Sequence, residues 1–89
     1  MGDKNGKATN LINIGAIYAD RGNYDEALKN QFAALKLEES IGDKYGIVYC
    51  FINIGIEYIK QKKYNNASQY LNKALFLSKE IGSLEVNGR

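Results

Sequence analysis

Eighty-nine residues make one small domain, too short for a multi-domain enzyme, and 45% apolar with 25% charged residues is the balance of a folded chain, not a disordered one. Twelve Lys and Arg against ten Asp and Glu leave a net charge of +2, too weak a field to imply nucleic acid or an anionic membrane as partner. The chain has no His, the commonest catalytic base and metal ligand, and its one cysteine, Cys50, cannot close an intramolecular disulfide.

Four helices are expected in chain order, at about 5–20, 24–40, 45–60 and 64–80. In the first, Leu11, Ile14 and Tyr18 fall three and four apart on one face, and Leu28, Phe32 and Leu35 do the same in the second. Arg21-Gly22-Asn23 separates them, with Gly22 suited to the left-handed conformation that ends a helix. The joint Ile41-Gly42-Asp43-Lys44-Tyr45-Gly46 supplies Gly42 as a stop and Asp43 as the cap of the third helix. Phe51, Ile54 and Tyr58 then line one face of that helix, and Leu71, Ala74, Leu75 and Ser78 one face of the fourth. Their turn reads Gln61-Lys62-Lys63, so a lysine stands where Gly22 stood, a substitution expected to strain the helix end by about 1 kcal/mol.

The chain also matches itself at an offset of 40. Gly2-Asp3-Lys4 returns as Gly42-Asp43-Lys44, Gly6 as Gly46, and Ile12-Asn13-Ile14-Gly15 as Ile52-Asn53-Ile54-Gly55. Tyr18, Tyr24, Ala27, Ala34, Leu35, Leu37 and Ile41 return as Tyr58, Tyr64, Ala67, Ala74, Leu75, Leu77 and Ile81, giving 15 identities over 40 positions without a gap. The organisation read from this is a unit at 1–41, a second at 42–82, and at 83–89 either the truncated start of a further unit or a disordered tail.

Leu11, Ile14, Gly15, Tyr18, Tyr24, Ala27, Ala34 and Leu35, and again Phe51, Ile54, Gly55, Tyr58, Tyr64, Ala67, Ala74 and Leu75, are similar in spacing to the tetratricopeptide repeat (TPR) signature. That signature is moderately specific once and strong when matched twice in register; here it covers residues 5–81. The chain departs from the family pattern in its 40-residue period, longer than usual, and in lacking the closing Pro. Longer repeats with a Gly-Asp-Lys joint resemble those of Pins/LGN-like scaffolds and bacterial TPR regulators. The resemblance implies an all-α fold: two antiparallel helix hairpins stacked as a short right-handed solenoid whose concave face holds a partner peptide or helix.

On that model Thr9, Ile12, Asn13, Ala16 and Asp20 line the groove in the first unit, and Tyr49, Ile52, Asn53, Ile56 and Lys60 in the second. The places where chaperone-binding relatives carry a carboxylate clamp hold Ile12, Ala16, Ile52 and Ile56, so that clamp is missing. Two readings stand for Asn13 and Asn53. Either they form a ladder along an extended peptide's backbone, or each bridges helices of its own solenoid. Tyr49 is likewise either a peptide pocket or a contact for a neighbouring repeat.

The expected function is a protein-interaction module, a piece of a longer array. The alternative is self-association, through uncapped faces carrying Leu35, Leu37, Phe51, Tyr70, Phe76 and Leu77 or by swapping hairpins across the Gly42–Gly46 joint. No catalytic constellation, metal set or cofactor site is expected, and no nucleic-acid or membrane partner; the location expected is cytoplasmic.

Overall fold

The computed structural model describes residues 3–87, with side chains through Ser83. Its helices are α1 (Lys4–Asp20), α2 (Tyr24–Ile41), α3 (Lys44–Lys60) and α4 (Tyr64–Asn87), and no strand occurs among the described residues. The first three starts have a chemical cause. Asp3 caps α1 by accepting the Gly6 N–H at 2.9 Å, and Asp43 caps α3 by accepting that of Gly46 at 3.1 Å. Asn23 caps α2, where Asp25 and Glu26 place negative charge in the first turn.

The ends repeat as well. After α1, Gly22 at φ 79° lets the Gly22 and Asn23 N–H groups donate to the Ala19 and Tyr18 carbonyls. After α3, Lys62 takes the same left-handed conformation at φ 62°, and Lys62 and Lys63 donate to Ile59 and Tyr58. The strained lysine expected from the sequence is therefore present. Gly42, at φ 69°, stops α2.

Gly82 does not stop α4, which runs on to Asn87 instead of ending near residue 80. Gly42 is followed by Asp43, which caps a new helix, whereas Ser83-Leu84-Glu85-Val86 contains good helix formers and tolerates one glycine at a cost of about 1 kcal/mol. Residues 83–87 thus continue α4, and 88–89 lie outside the described residues.

The α1–α2 and α3–α4 hairpins stack through one core. Ala8, Ile12, Ala34, Leu35, Cys50 and Ile54 are buried together at the joint between them. Small residues let the helices of each hairpin approach: a Cβ on Gly15 would lie 2.9 Å from the Ala27 carbonyl oxygen, and one on Gly55 would lie 2.7 Å from Leu71 Cδ2. Tyr70 organises the second side of the core. Its ring meets Phe32 edge-on at 5.7 Å and stacks on Tyr58 at 5.9 Å, with Lys73 Nζ 5.0 Å from its centre. The backbones of α1 and α3 come within 8 Å of each other, while those of α2 and α4 do not. The α1–α3 side is therefore the closer-packed side of the stack.

Candidate partner-binding face

The ten residues expected to form the groove all lie on α1 and α3. Ile12 is not available there: it is only 4% exposed and belongs to the joint between the hairpins. Thr9, Asn13 and Asp20 are exposed on α1, and Ala16 is half-buried. On α3, Tyr49, Ile52, Ile56 and Lys60 are exposed and Asn53 is half-buried. The i, i+3, i+7 spacing of Tyr49, Ile52 and Ile56 makes an apolar stripe along α3.

The first unit shows what stacking does to each position, because α3 is already packed against it. Thr9, Asn13 and Asp20 remain open beside α3, whereas Ile12 is covered. By the 40-residue offset, Tyr49, Asn53 and Lys60 sit at places that stay open inside a stack, and Ile52 at a place that stacking covers. Tyr49, 54% exposed, thus stands where α1 shows an open position.

Two polar features mark this face. Lys60 Nζ lies 3.7 Å from Asp20 Oδ1, tying the ends of α1 and α3 together. Asn53 donates from Nδ2 to the Tyr49 carbonyl oxygen at 2.8 Å, so its amide is held along its own helix. It spans no helix pair in this geometry. Thr9 similarly donates to the Asn5 carbonyl oxygen at 3.0 Å.

At the far end of the joint lies an acidic group in which Glu38 is buried, Asp43 half-buried and Asn5 exposed. The Asn5 amide sits between Glu38 and Asp43, and with its nitrogen turned to them it donates to Glu38 Oε1 at 2.6 Å and to Asp43 Oδ2 at 3.0 Å. Burial first, and the Asp43 charge second, raise the Glu38 pKa above its ordinary value. Cys50 lies beneath this group; burial above all, then Glu38, Glu39 and Asp43, push its thiol up to about 11. A buried thiol so far from ionising is a packing residue, not a nucleophile. No group of three His, Cys, Asp or Glu side chains suited to a metal occurs among the described residues, and no described helix is long and apolar enough to cross a membrane.

Sequence reasoning missed Tyr70 as a centre of packing, and it missed Glu57, buried on α3 beside Lys60 and Asp20. The offset held the signal for both. Tyr70 stands where the first unit has Asn30, and Glu57 where it has Ile17, so both depart from the shared signature, and both reach across to the first unit, Tyr70 at Phe32 and Glu57 near Asp20.

A family model described as Tetratricopeptide repeat matches residues 6–80. No curated protein and no solved structure matches the chain.

Proposed function

The chain belongs to the tetratricopeptide repeat family, and from that premise we propose that it holds a polypeptide segment of a partner on the concave face shared by α1 and α3. Such repeats generally mediate protein–protein interaction and are typically non-catalytic scaffolds. The observation that carries the reading is the openness of Thr9, Asn13 and Asp20 despite the close packing of α3 beside them. A face that stays accessible inside a stack is one the fold does not use for itself.

The chemistry of that face suggests how the segment is read. Tyr49 and Ile56, with Ala16 opposite, offer apolar contact area to one or two apolar side chains. Asn13, exposed, presents an amide able to donate to and accept from an extended backbone. Asn53, whose Nδ2 is engaged by Tyr49, contributes mainly its acceptor oxygen. Asp20 and Lys60 close one end of the groove with neighbouring opposite charges, which favours a partner segment that is zwitterionic there over one strongly charged in either sense.

The test is selection of short peptides from a random library against the 89-residue chain, followed by titration of the winners into variants. Tyr49→Ala and Ile56→Asp are expected to weaken binding at least tenfold, and Ile17→Ser, on another surface, to leave it unchanged. Winners indifferent to Tyr49 and Ile56 would refute the assignment of the face.

A further inference from the structure

The 40-residue offset pairs each side of the buried joint with an exposed surface at one end of the molecule. Leu35 is 8% exposed in the joint and its counterpart Leu75 is 53% exposed; Ile12, in the joint, and Ala19 are buried, and their counterparts Ile52 and Ile59 are exposed. The other side of the joint behaves in reverse. Ile54 is wholly buried while its counterpart Ile14 is 43% exposed, and buried Glu57 corresponds to exposed Ile17. The α3–α4 end thus keeps the register and several apolar positions of the surface that receives α3, and α1 those of the surface that α3 presents.

A recess marks the match. Between α3 and α4 lies a cavity of about 230 Å³, lined by Tyr45, Val48, Ser78, Ile81 and Gly82. Forty residues earlier these are Asn5, Ala8, Glu38, Ile41 and Gly42. In that first unit the place is filled. Gly46 is seated so closely on the Glu38 carboxylate that a Cβ would collide with it, and Cys50 is buried one turn further on. The counterpart of Gly46 is Gly6, at the start of α1, inside the same Gly-Asp-Lys-x-Gly segment and capped in the same way by Asp3.

Charge agrees with shape. Asp20 and Lys60 hold the same place in successive units and pair at 3.7 Å. One more step of the same stacking sets the Asp20 of a following molecule against the free side of Lys60, so charges alternate along the column.

We propose that this surface takes a second copy of the chain, head to tail, with α1 of the following molecule seated on α3 and α4 and its Gly6 end in the Tyr45–Gly82 cavity. This goes beyond partner binding on the concave face, which the stacking leaves open. The intermolecular joint is less polar than the internal one at two places, with Ile17 in the position of buried Glu57 and Ser78 in that of Glu38, but more polar at five, where Asn10, Lys7, Asn30, Ser68 and Asn72 stand for Cys50, Ile47, Tyr70, Leu28 and Phe32, so the contact is weaker than the internal joint. Because the two surfaces differ, the contact is heterologous, and it propagates instead of closing as a two-fold dimer.

The experiment is sedimentation equilibrium on the chain and on blocked variants. Wild type is expected to show an average mass that climbs steadily above 10.0 kDa with concentration, without a plateau at twice that value. Ile14→Lys blocks one surface and Leu75→Lys the other. Each is expected to stay at 10.0 kDa alone. Mixed in equal amounts they are expected to form a one-to-one pair and nothing larger, since each keeps one intact surface. Both side chains are exposed in the single molecule, and Ile17→Lys and Ile59→Lys repeat the test on the same two surfaces should either first variant fail to fold. A wild-type monomer at millimolar concentration, a closed dimer that survives in one blocked variant alone, or a mixture of folded variants that stays monomeric would each overturn the proposal.

Discussion

Lys60 Nζ lies 3.7 Å from Asp20 Oδ1, and the two residues occupy the same position in successive units. The repeat thus places unlike charges where identical residues would have repelled. Beside them Glu57 is nearly fully buried, and its Oε1 and the Gln61 Nε2 have no hydrogen-bond partner among the described residues. Burial raises the Glu57 pKa above its ordinary 4.5, with Asp20 adding to the rise and Lys60 opposing it.

That shift makes stability depend on pH. The folded chain holds the Glu57 proton more tightly than the unfolded chain does, so the associated stability is complete below pH 4.5 and is lost as pH rises through the elevated folded value. Glu57→Gln, which keeps the neutral form at every pH, is expected to raise Tm at pH 7. The gain should shrink as pH is lowered toward 4.5. Thermal melts of both proteins across that range check it, and a gain independent of pH would show that ionisation is not its source.

Gly15 and Gly55 are equivalent in sequence but not in what surrounds them. A methyl on Gly15 meets the Ala27 carbonyl oxygen at 2.9 Å, part of a packed helix backbone, so Gly15→Ala is expected to destabilise by about 1–3 kcal/mol. On Gly55 the near atoms belong to the Leu71 side chain, and the Ala67 carbonyl oxygen is 3.5 Å away. Gly55→Ala is expected to cost less than Gly15→Ala, because a side chain, not backbone, must shift and alanine has the better helix propensity. Urea unfolding of both variants gives the comparison.

Gln31 is completely buried at the first hairpin, and neither its Nε2 nor its Oε1 has a hydrogen-bond partner among the described residues. Its counterpart is Leu71. Gln31→Leu is therefore expected to stabilise by about 1–3 kcal/mol, by removing the desolvation of an unpaired amide at nearly constant volume. Destabilisation in the same urea assay would mean that the amide is paired.

Lys62 takes the left-handed conformation that Gly22 takes in the first unit, at φ 62° against 79°. Lys62→Gly is expected to gain about 0.5–1 kcal/mol, the relief of the Cβ clash less the greater freedom of glycine in the unfolded chain. Gly22→Ala is expected to lose about 1 kcal/mol at the matching turn. Differential scanning calorimetry on the pair reads both signs.

The sequence makes the repeat, the four helices and the Asp43 cap legible, because Asp43, Gly22, Gly42 and the paired glycines act through local chemistry that does not depend on the rest of the fold. What it leaves hidden follows from stacking. Ile12 and Ile52 are the same residue in the same register, yet one is core and the other surface, since only the first has a helix packed over it. Of the residues expected to form exposed apolar patches, Phe76 is 68% exposed, Leu37, Phe51, Tyr70 and Leu77 are half-buried, and Leu35 is buried at the joint. Gly82 could not be distinguished from Gly42 by identity alone, because the difference lies in the cap that follows it.

The account turns on the α1–α3 face, and amide chemical-shift mapping tests it most directly. A selected peptide titrated into isotope-labelled chain is predicted to shift the amides of Thr9, Asn13, Tyr49, Asn53 and Ile56 in one saturable process, leaving Ile14, Ile17 and α2 unmoved. Saturable shifts confined to α2 and α4, with the α1–α3 face silent, would contradict it.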